Sequence, residues 1–254
     1  MSTLLVDIGN TRIKWSVLRG AHIGRVRARA HRGKATALAT LVRAVPTHVE
    51  RVVAVCVAGA KFERALSAAA RVRFGVRVEF VRSTRNAGGV RNGYRETWRL
   101  GADRWVGVIA AHAIAGARPV LVVNVGTALT LDAVSADGRH RGGAIAPGPD
   151  TMIASLLQGT HGIRRRARGA RPRGARVRGL FASDTASAIE AGALNAAGAL
   201  VDRAVVEARA LGARPWVLLT GGGAGRLRTH IKSAVRVVPD LVLRGLAVLA
   251  QTPG

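Results

Sequence analysis

The sequence has a single cysteine, Cys56, and a single tyrosine, and it contains no long apolar run. One cysteine excludes an intrachain disulfide and a zinc site built from several cysteines. This cysteine lies in an apolar stretch and is predicted to be a buried thiol rather than a nucleophile. No segment approaches the ~20 apolar residues of a membrane-spanning helix, and the N-terminus does not resemble a signal peptide. We therefore expect a soluble, cytoplasmic protein that does not associate with membranes.

Acidic residues are also scarce, because 14 of them face 40 basic residues and leave a net charge of +26. Such a surplus attracts anions. The segment His161–Gly179 is rich in arginine between Arg164 and Arg178 and has no periodicity, so we predict a mobile loop. A solvated charge run or an anion-attracting lip is favoured over a nucleic-acid arm. With 48% hydrophobic residues, the chain can still bury a sizeable core.

The stretch around which the chain is organised is Leu4–Val17, which reads LLVDIGNTRIKWSV. An apolar strand ends at Asp7, a glycine permits a sharp turn, and alternating residues predict a returning strand. The carboxylate can hold Mg²⁺, directly or through water, while Asn10, Thr11 and the turn amides face phosphate oxygens. Lys14 returns to the same end of the hairpin as a point charge for phosphate. For this motif alone, an ordinary Asx-type turn is the alternative.

A second hairpin of the same kind lies near the middle of the chain. Val120–Val134 reads VLVVNVGTALTLDAV: an apolar strand, Asn124, a glycine, Thr127 and a second alternating strand. One such hairpin near the start of each half predicts two similar domains facing a shared cleft. The repeat favours phosphate binding over the ordinary turn.

Three further stretches carry residues suited to binding. The polar loop Ser83–Glu96 contains Tyr94 and is long enough to be an active-site loop. A helix predicted over Trp105–Ala115 places Asp103 and Arg104 at its first turn, where the helix dipole favours a carboxylate. The segment TGGGAG follows a predicted strand, and its glycines permit close approach of a phosphorylated ligand, with adenosine as the natural candidate.

The order of elements predicts an α/β protein whose mixed sheets are flanked by helices, with domains at 1–117 and 118–254. The remaining elements that the sequence predicts are a strand at Gly20–Ala30, strands at Arg51–Val57, Val76–Val81, Gly142–Ile145, Trp216–Leu219 and Val235–Val238, and helices at Ala35–Ala44, Phe62–Arg73, Asp150–Leu157 (capped by Asp150), Thr185–Leu211 (capped by Ser183 and Asp184) and Leu241–Ala250.

Seven motifs in this chain resemble those of the type III pantothenate kinases, in the actin- and hexokinase-like ATPase superfamily. In order they are DIGNTRIK, GADR, VGTALTLD, GGAIAPG, DTASAI, TGGGA and PDLVLRGL, and they span essentially the whole chain. The resemblance implies that both domains have the actin-like ATPase (ribonuclease H-like) fold. It also implies ATP-dependent phosphorylation of pantothenate to 4'-phosphopantothenate, the first step of coenzyme A biosynthesis, by a homodimer that uses Mg²⁺ and a monovalent cation, K⁺ or NH₄⁺.

The resemblance further implies a role for individual residues. Asp103 would be the general base, Asp7 would bind Mg²⁺, and Asn124 occupies the position of the monovalent cation. The implied ATP-binding residues are Asp7, Ile8, Gly9, Asn10, Thr11, Arg12, Ile13, Lys14 and Thr127. The implied substrate-binding residues are Tyr94, Gly101, Ala102, Asp103, Arg104 and Thr185.

The chain departs from the family pattern at Asn124, because the family usually has aspartate there. An amide supplies an oxygen ligand without charge, so we expect binding of K⁺ or NH₄⁺ to be weaker or lost.

Two other functions fit parts of the sequence. One is a catalytically weak or inactive homologue that acts as a nucleic-acid-associated regulatory protein, motivated by the charge of +26. No nucleic-acid-binding motif supports it, so only non-specific, salt-sensitive binding is expected. The other is a sugar or acetate kinase that shares the nucleotide turns but not the substrate.

Overall fold

A computed structural model of the protein describes residues 2–45, 48–167, 179–210 and 214–251. The chain divides into two compact units; the described part of the first is 2–45, 48–116, 138–140 and 240–251, and that of the second is 117–137, 141–167, 179–210 and 214–239. The strands are β1 (Ser2–Ile8), β2 (Arg12–Arg19), β3 (His22–Ile23), β4 (Arg27–Ala30), β5 (Arg51–Cys56), β6 (Val78–Phe80), β7 (Asn86–Ala87), β8 (Val90–Arg91), β9 (Val120–Val125), β10 (Ala128–Val134), β11 (His140–Pro147), β12 (Trp216–Thr220) and β13 (Arg236–Val237). The helices are α1 (Ala37–Arg43), α2 (Ala60–Phe74), α3 (Ala102–Ala115), α4 (Pro149–Gly159), α5 (His161–Ala167), α6 (Thr185–Arg209), α7 (Ala224–Leu227) and α8 (Leu241–Gln251).

The main sheets of the two units have the same strand order, and the central strands pair in the same directions. The first runs β3-β2-β1-β5-β6, with β4 also paired to β2, and the second runs β11-β10-β9-β12-β13. In each, an antiparallel hairpin is followed by parallel pairing, because β1 pairs antiparallel with β2 and parallel with β5, as β9 does with β10 and β12. This duplication confirms the predicted α/β fold with mixed sheets.

Helices cover both faces of the first sheet, which explains why β1 is apolar almost throughout. Leu4, Val6 and Ile8 point to one face and pack in a cluster with residues of α1 and α2. Leu5 points to the other face and packs in a cluster with residues of α3 and α8, including Val106. The alternation of side chains along a strand therefore buries residues on both sides.

The second sheet buries one face against the long helix α6. Strand residues such as Val123 and Leu131 share a cluster with Leu194 and Val201 of this helix. Asp184 caps α6 as predicted, because its side chain accepts a hydrogen bond from the Ser187 amide at 2.9 Å.

The C-terminal helix α8 belongs to the first unit, although the sequence places 118–254 in one domain. Leu243 and Leu246 of α8 are fully buried in the cluster that covers β1. A Cβ atom at Gly245 would overlap the carbonyl oxygen of Val106, so a glycine is required where α8 crosses α3. The apolar face of α8 is thus fitted to the first sheet.

Several local predictions are wrong. The strand predicted at Gly20–Ala30 is two short strands, β3 and β4. The segment predicted as a loop, 161–179, begins with the helix α5, and Arg164 donates hydrogen bonds to the Leu157 and Gln158 carbonyls at the end of α4. These bonds satisfy carbonyl groups that the last turn of α4 leaves without an intrahelical partner. Residues 168–178, which hold the rest of the arginine tract, lie outside the described residues.

Helix α4 is another case, because Gly148 rather than Asp150 is its N-cap residue. Pro149 occupies the first helical position, where a missing N–H costs nothing. Asp150 lies in the first turn and pairs with Arg226 at 2.6 Å.

In the part of the chain that is described, no helix combines the length and apolar character needed to cross a bilayer.

Candidate active site

The predicted phosphate-binding turn joins β1 to β2. The Gly9 amide donates to the Arg12 carbonyl at 3.0 Å and closes the turn, and Asn10 and Thr11 are exposed. Two of the predicted ATP-binding residues, Ile8 and Ile13, pair across the hairpin with their side chains in the core. Only the backbone atoms of these two residues can therefore face a ligand.

A charged cluster lies beside this turn. Asp7 and Lys14 are opposite each other in the register of β1 and β2, and the Lys14 ammonium lies 3.0 Å from a carboxylate oxygen of Asp240. Burial raises the pKa of Asp7 from an ordinary 3.8 to about 7; Lys14 opposes this increase, and the negative charges of Asp103 and Asp240 add to it. The sequence-predicted residues Asp7, Lys14 and Asp103 are thus brought together with Asp240.

Sequence reasoning missed Asp240. This residue lies directly before α8, and its carbonyl accepts a hydrogen bond from the Arg244 amide at 3.2 Å. Its φ of 55° is in the left-handed region, which is rare for a residue other than glycine and common at functional sites. The motif PDLVLRGL gave one signal, an aspartate between a proline and a helix, but that pattern also fits an ordinary helix cap.

We expect Asp240→Asn to lower the pKa of Asp7 below about 7. The substitution removes a negative charge that disfavours ionisation of Asp7, and it releases Lys14 to interact with Asp7 alone. The carboxyl ¹³C chemical shift of Asp7, followed by NMR as a function of pH without Mg²⁺, measures this pKa. Glu63→Gln, which removes a carboxylate paired with Arg82, is the control. An unchanged Asp7 titration in Asp240→Asn would contradict the electrostatic cluster.

The start of α3 carries Asp103 in its first turn, as predicted, although the helix begins at Ala102 rather than Trp105. Gly101 is the N-cap residue, and a carboxylate oxygen of Asp103 accepts a hydrogen bond from the Arg104 amide at 2.8 Å. Asp103 is therefore held in one orientation at the helix terminus.

Tyr94 and Arg104 form a second group in the first unit. The Arg104 guanidinium donates to the Tyr94 hydroxyl at 3.1 Å, and the Tyr94 ring stacks on His140 with centroids 5.7 Å apart. Asn92, which is buried, accepts a hydrogen bond from the Tyr94 amide at 3.0 Å and donates to the Ser83 hydroxyl at 2.9 Å. Tyr94 is thus fixed beside Arg104 by several contacts.

The surrounding segment, predicted as a glycine-rich loop, contains a tight hairpin. Strands β7 and β8 are joined by Gly88 and Gly89, both with positive φ, which is the pattern of a two-residue hairpin turn. A Cβ atom at Gly88 would also overlap the Ile109 side chain of α3. The dipeptide Gly-Gly between Ala87 and Val90 was the signal for this hairpin.

In the second unit, the turn after Asn124 is held by the start of α4. The Thr127 side chain is exposed, and its carbonyl accepts hydrogen bonds from the Gly148 amide at 2.8 Å and the Thr151 hydroxyl at 2.6 Å. A Cβ atom at Gly148 would overlap the Gly126 carbonyl, so the segment GGAIAPG ends against this turn. The predicted residues Asn124 and Thr127 therefore share one end of the sheet.

The glycine-rich segment after β12 lies against the same end. Gly221 has a φ of 93°, and a Cβ atom there would lie 2.6 Å from the Asn124 side-chain oxygen. The Gly223 amide donates to the Val125 carbonyl at 3.0 Å. At least Gly221 and Gly223 are therefore explained by packing within the protein, before any ligand is considered.

Thr185 is the first residue of α6 and is half-buried. It lines a largely apolar groove together with Met152, Leu156, Ile163 and Ile189. The groove lies within the second unit, between α4, α5 and α6.

The donor set beside the first turn fits Mg²⁺. This ion is bound in kinases through one or two carboxylates together with substrate phosphates and water, rather than by a cage of protein ligands. Asp7 supplies a carboxylate next to the turn, and the negative charges of Asp103 and Asp240 near it favour a cation there. No group of three or more His, Cys, Asp or Glu side chains within the described residues is arranged to hold a metal alone.

Comparison with known proteins adds independent findings. The sequence profile of the type III pantothenate kinases matches residues 3–207. A type III pantothenate kinase from Alkalilimnicola ehrlichii is 38% identical over 252 residues, which cover 99% of this chain and 98% of that protein. Among solved structures, a protein named as a 2-dehydro-3-deoxygalactonokinase from Sinorhizobium meliloti has a TM-score of 0.61 at 19% identity, with 98% of each chain covered.

A second solved structure, the ROK hexokinase from Thermus thermophilus, has a TM-score of 0.50 at 13% identity and again covers 98% of each chain. Identities this low show a common fold alone, and the fold is that of the actin- and hexokinase-like ATPases. The profile match and the full-length relative also show the family, because both identify the same one and both cover most of the chain. The chain belongs to the type III pantothenate kinase family.

Proposed function

We propose that this protein transfers the terminal phosphoryl group of ATP to the terminal hydroxyl of pantothenate, the entry step to coenzyme A. The observation that carries the proposal is the cluster of Asp7, Lys14 and Asp103 beside an exposed hairpin turn, in a chain of this family. Phosphoryl transfer requires positioning and charge neutralisation more than covalent catalysis, and these are the groups that provide both.

The first hairpin is the proposed phosphate site. Amides of Gly9–Arg12 and the Lys14 ammonium bind the ATP phosphates, and Asp7 binds Mg²⁺. Bound Mg²⁺ supplies the positive charge that stabilises the transferring phosphoryl group. Lys14 is held at the site by its ion pair with Asp240, 3.0 Å away.

Asp103 is the proposed general base. A primary alcohol is a weak acid, so a carboxylate that accepts its proton as the new O–P bond forms lowers the barrier. Arg104, fixed by Tyr94, is suited to bind the carboxylate of pantothenate through a charge-assisted contact. Gly101 and Ala102 complete the proposed substrate segment at the start of α3.

Thr127 and Thr185 belong to the second unit, and their roles, in phosphate and substrate binding respectively, rest on the family resemblance. The homodimer and the cytoplasmic location stay predictions. The apolar groove lined by Met152 and Leu156 supports the proposed homodimer. Leu156 is 42% exposed there, and a second copy of the chain would cover it.

The test is ATP-dependent phosphorylation of pantothenate by the purified protein, followed by ³¹P NMR, with hexoses and acetate as competing acceptors. We expect phosphopantothenate alone. A folded protein that phosphorylates a sugar or acetate instead would refute the substrate, and one that phosphorylates none of them would refute the enzyme. If the protein binds DNA only at low salt and remains an active kinase, that DNA binding is a non-specific effect of the net charge of +26.

The monovalent cation provides a separate prediction. Asn124→Asp is expected to increase the affinity for K⁺ or NH₄⁺ by about tenfold or more, because it adds a negative charge to an oxygen ligand. Titration of K⁺ against a Tris background, with the rate of phosphorylation as the readout, measures the half-saturating concentration. Identical titrations for the two proteins would show that residue 124 is not a cation ligand.

A further inference from the structure

His31 is a buried histidine for which the sequence gave no role. It follows the edge strand β4 and is 4% exposed. Its ring packs edge-on against Phe62 of α2, with ring centroids 4.6 Å apart. Because β4 pairs with β2 in a register that sets Ala30 opposite Arg12, His31 lies beside the phosphate-binding turn.

Both ring nitrogens of His31 have partners. The Gly33 amide donates to Nδ1 at 3.1 Å, so Nδ1 must be the unprotonated nitrogen. Nε2 therefore carries the proton and donates to the Gly9 carbonyl at 2.9 Å. The backbone amide of His31 adds a third bond, to the Thr11 carbonyl at 3.2 Å.

These bonds determine the direction of two turn amides. In a trans peptide the C=O and N–H groups point in opposite directions. The Gly9 carbonyl faces the imidazole, so the Asn10 amide points away from it. The Thr11 carbonyl faces the His31 backbone, so the Arg12 amide also points away.

We propose that His31 is a positioning residue for nucleotide binding, which holds the Gly9 carbonyl so that the turn amides are already oriented toward the phosphates of ATP. Turn amides that are oriented before binding lose less freedom when the anion arrives. The inference rests on the proposed function, because it concerns the phosphate site of that reaction. Asp7, Lys14 and Asp103 carry out the chemistry, and His31 acts only through the turn.

Two substitutions of similar size distinguish the hydrogen bond at Nε2 from the hydrogen bond at Nδ1. Glutamine can place an N–H group near the position of Nε2 and keep the bond to Gly9, whereas asparagine can place its oxygen near Nδ1 and keep only the bond from Gly33. His31→Phe keeps the ring against Phe62 and loses both bonds. Arg32, which has a φ of 47°, and Gly33 form the turn that brings the Gly33 amide to the ring, so that turn is retained in His31→Asn.

The experiment is calorimetric titration of each variant with a non-hydrolysable ATP analogue and Mg²⁺, together with thermal unfolding and steady-state kinetics. We expect His31→Asn and His31→Phe to bind the analogue about five- to fiftyfold more weakly, the range expected for an unsatisfied carbonyl and a disordered turn. We expect His31→Gln to remain within about threefold of the unmodified protein. The KM for pantothenate and the pH dependence of kcat should stay unchanged in all three variants.

The outcomes distinguish this inference from the proposed function. If His31→Asn and His31→Gln bind the analogue equally, or if affinity simply follows melting temperature, His31 has a structural role and the inference is wrong. If the unmodified protein binds the analogue but does not phosphorylate pantothenate, the substrate assignment fails while the positioning role is still measured. If the unmodified protein does not bind the analogue, the proposed function itself fails.

Discussion

Replacing Asp103 by asparagine is expected to lower kcat for pantothenate phosphorylation by about 10²–10⁴-fold, the range found when a general base is removed. Asparagine has nearly the same shape and retains an oxygen that can accept the 2.8 Å hydrogen bond from the Arg104 amide. The start of α3 should therefore keep its structure, while the ability to accept a proton is lost together with the negative charge that adds to the raised pKa of Asp7. The KM for ATP should change by less than about threefold, because a proton acceptor acts in the transition state.

The matched control is Asp150→Asn. Asp150 occupies the second position of α4, as Asp103 does in α3, and both lie in the first turn. The control removes an equivalent interaction with a helix dipole, together with an exposed ion pair to Arg226, and is expected to leave kcat unchanged. A loss of activity of similar size in both variants would indicate a general effect of first-turn carboxylates and would contradict the role of Asp103 as the base.

The duplicated hairpin shows how much the sequence could predict. The spacing of Asp7 and Gly9, repeated at Asn124 and Gly126, led to two similar sheets, and the sheets have the same strand order. This prediction worked because hairpins are specified locally, by strand alternation and a glycine at the turn. The position of Asp103 was predictable for the same reason, since helix starts are also local.

Contacts between segments that are distant in the sequence could not be predicted. The apolar face of α8 predicts burial but does not name its partner, and only the structure shows Gly245 against Val106 of the first unit. Asp240 joins the charged cluster through that placement. His31 gave no signal as a lone histidine after an arginine-rich strand, because its partners Gly9 and Gly33 contribute backbone atoms rather than recognisable side chains.

Replacing Asp7 by asparagine is expected to abolish detectable kinase activity while making the metal-free protein more stable at neutral and alkaline pH. Asp7 has a pKa of about 7 in the folded protein and of about 3.8 when unfolded, mainly because burial disfavours its charge. Below the lower value both states are protonated and the residue is neutral in each. As the pH rises toward 7 the unfolded chain gains increasingly from ionisation, and the folded protein loses relative stability.

The free energy of unfolding of Asp7→Asn minus that of the unmodified protein should therefore be smallest at acidic pH. From a value below about 1 kcal/mol at pH 4, where ionisation of the unfolded chain has begun, it should rise with pH and level off above pH 7 at about 2–4 kcal/mol, since each pKa unit corresponds to about 1.4 kcal/mol. Urea unfolding between pH 4 and 9 without Mg²⁺ measures this curve. Glu63→Gln is the control of opposite sign: hydrogen bonding to Arg82 lowers the pKa of Glu63, so its neutralisation should destabilise the protein at neutral pH.

Adding Mg²⁺ and a non-hydrolysable ATP analogue at pH 8 connects this stability to function. The ligands should raise the melting temperature of the unmodified protein, because they bind the folded state and neutralise the Asp7 carboxylate. The same addition should have a clearly smaller effect on Asp7→Asn, which keeps the turn amides and Lys14 for the phosphates but lacks the carboxylate for the metal. Equal increases in both proteins would show that Asp7 does not hold the metal. If the stability difference between Asp7→Asn and the unmodified protein did not change with pH, burial of the Asp7 carboxylate would not raise its pKa. If the expected results are found together, the carboxylate charge that destabilises the metal-free protein is the charge that binds the metal.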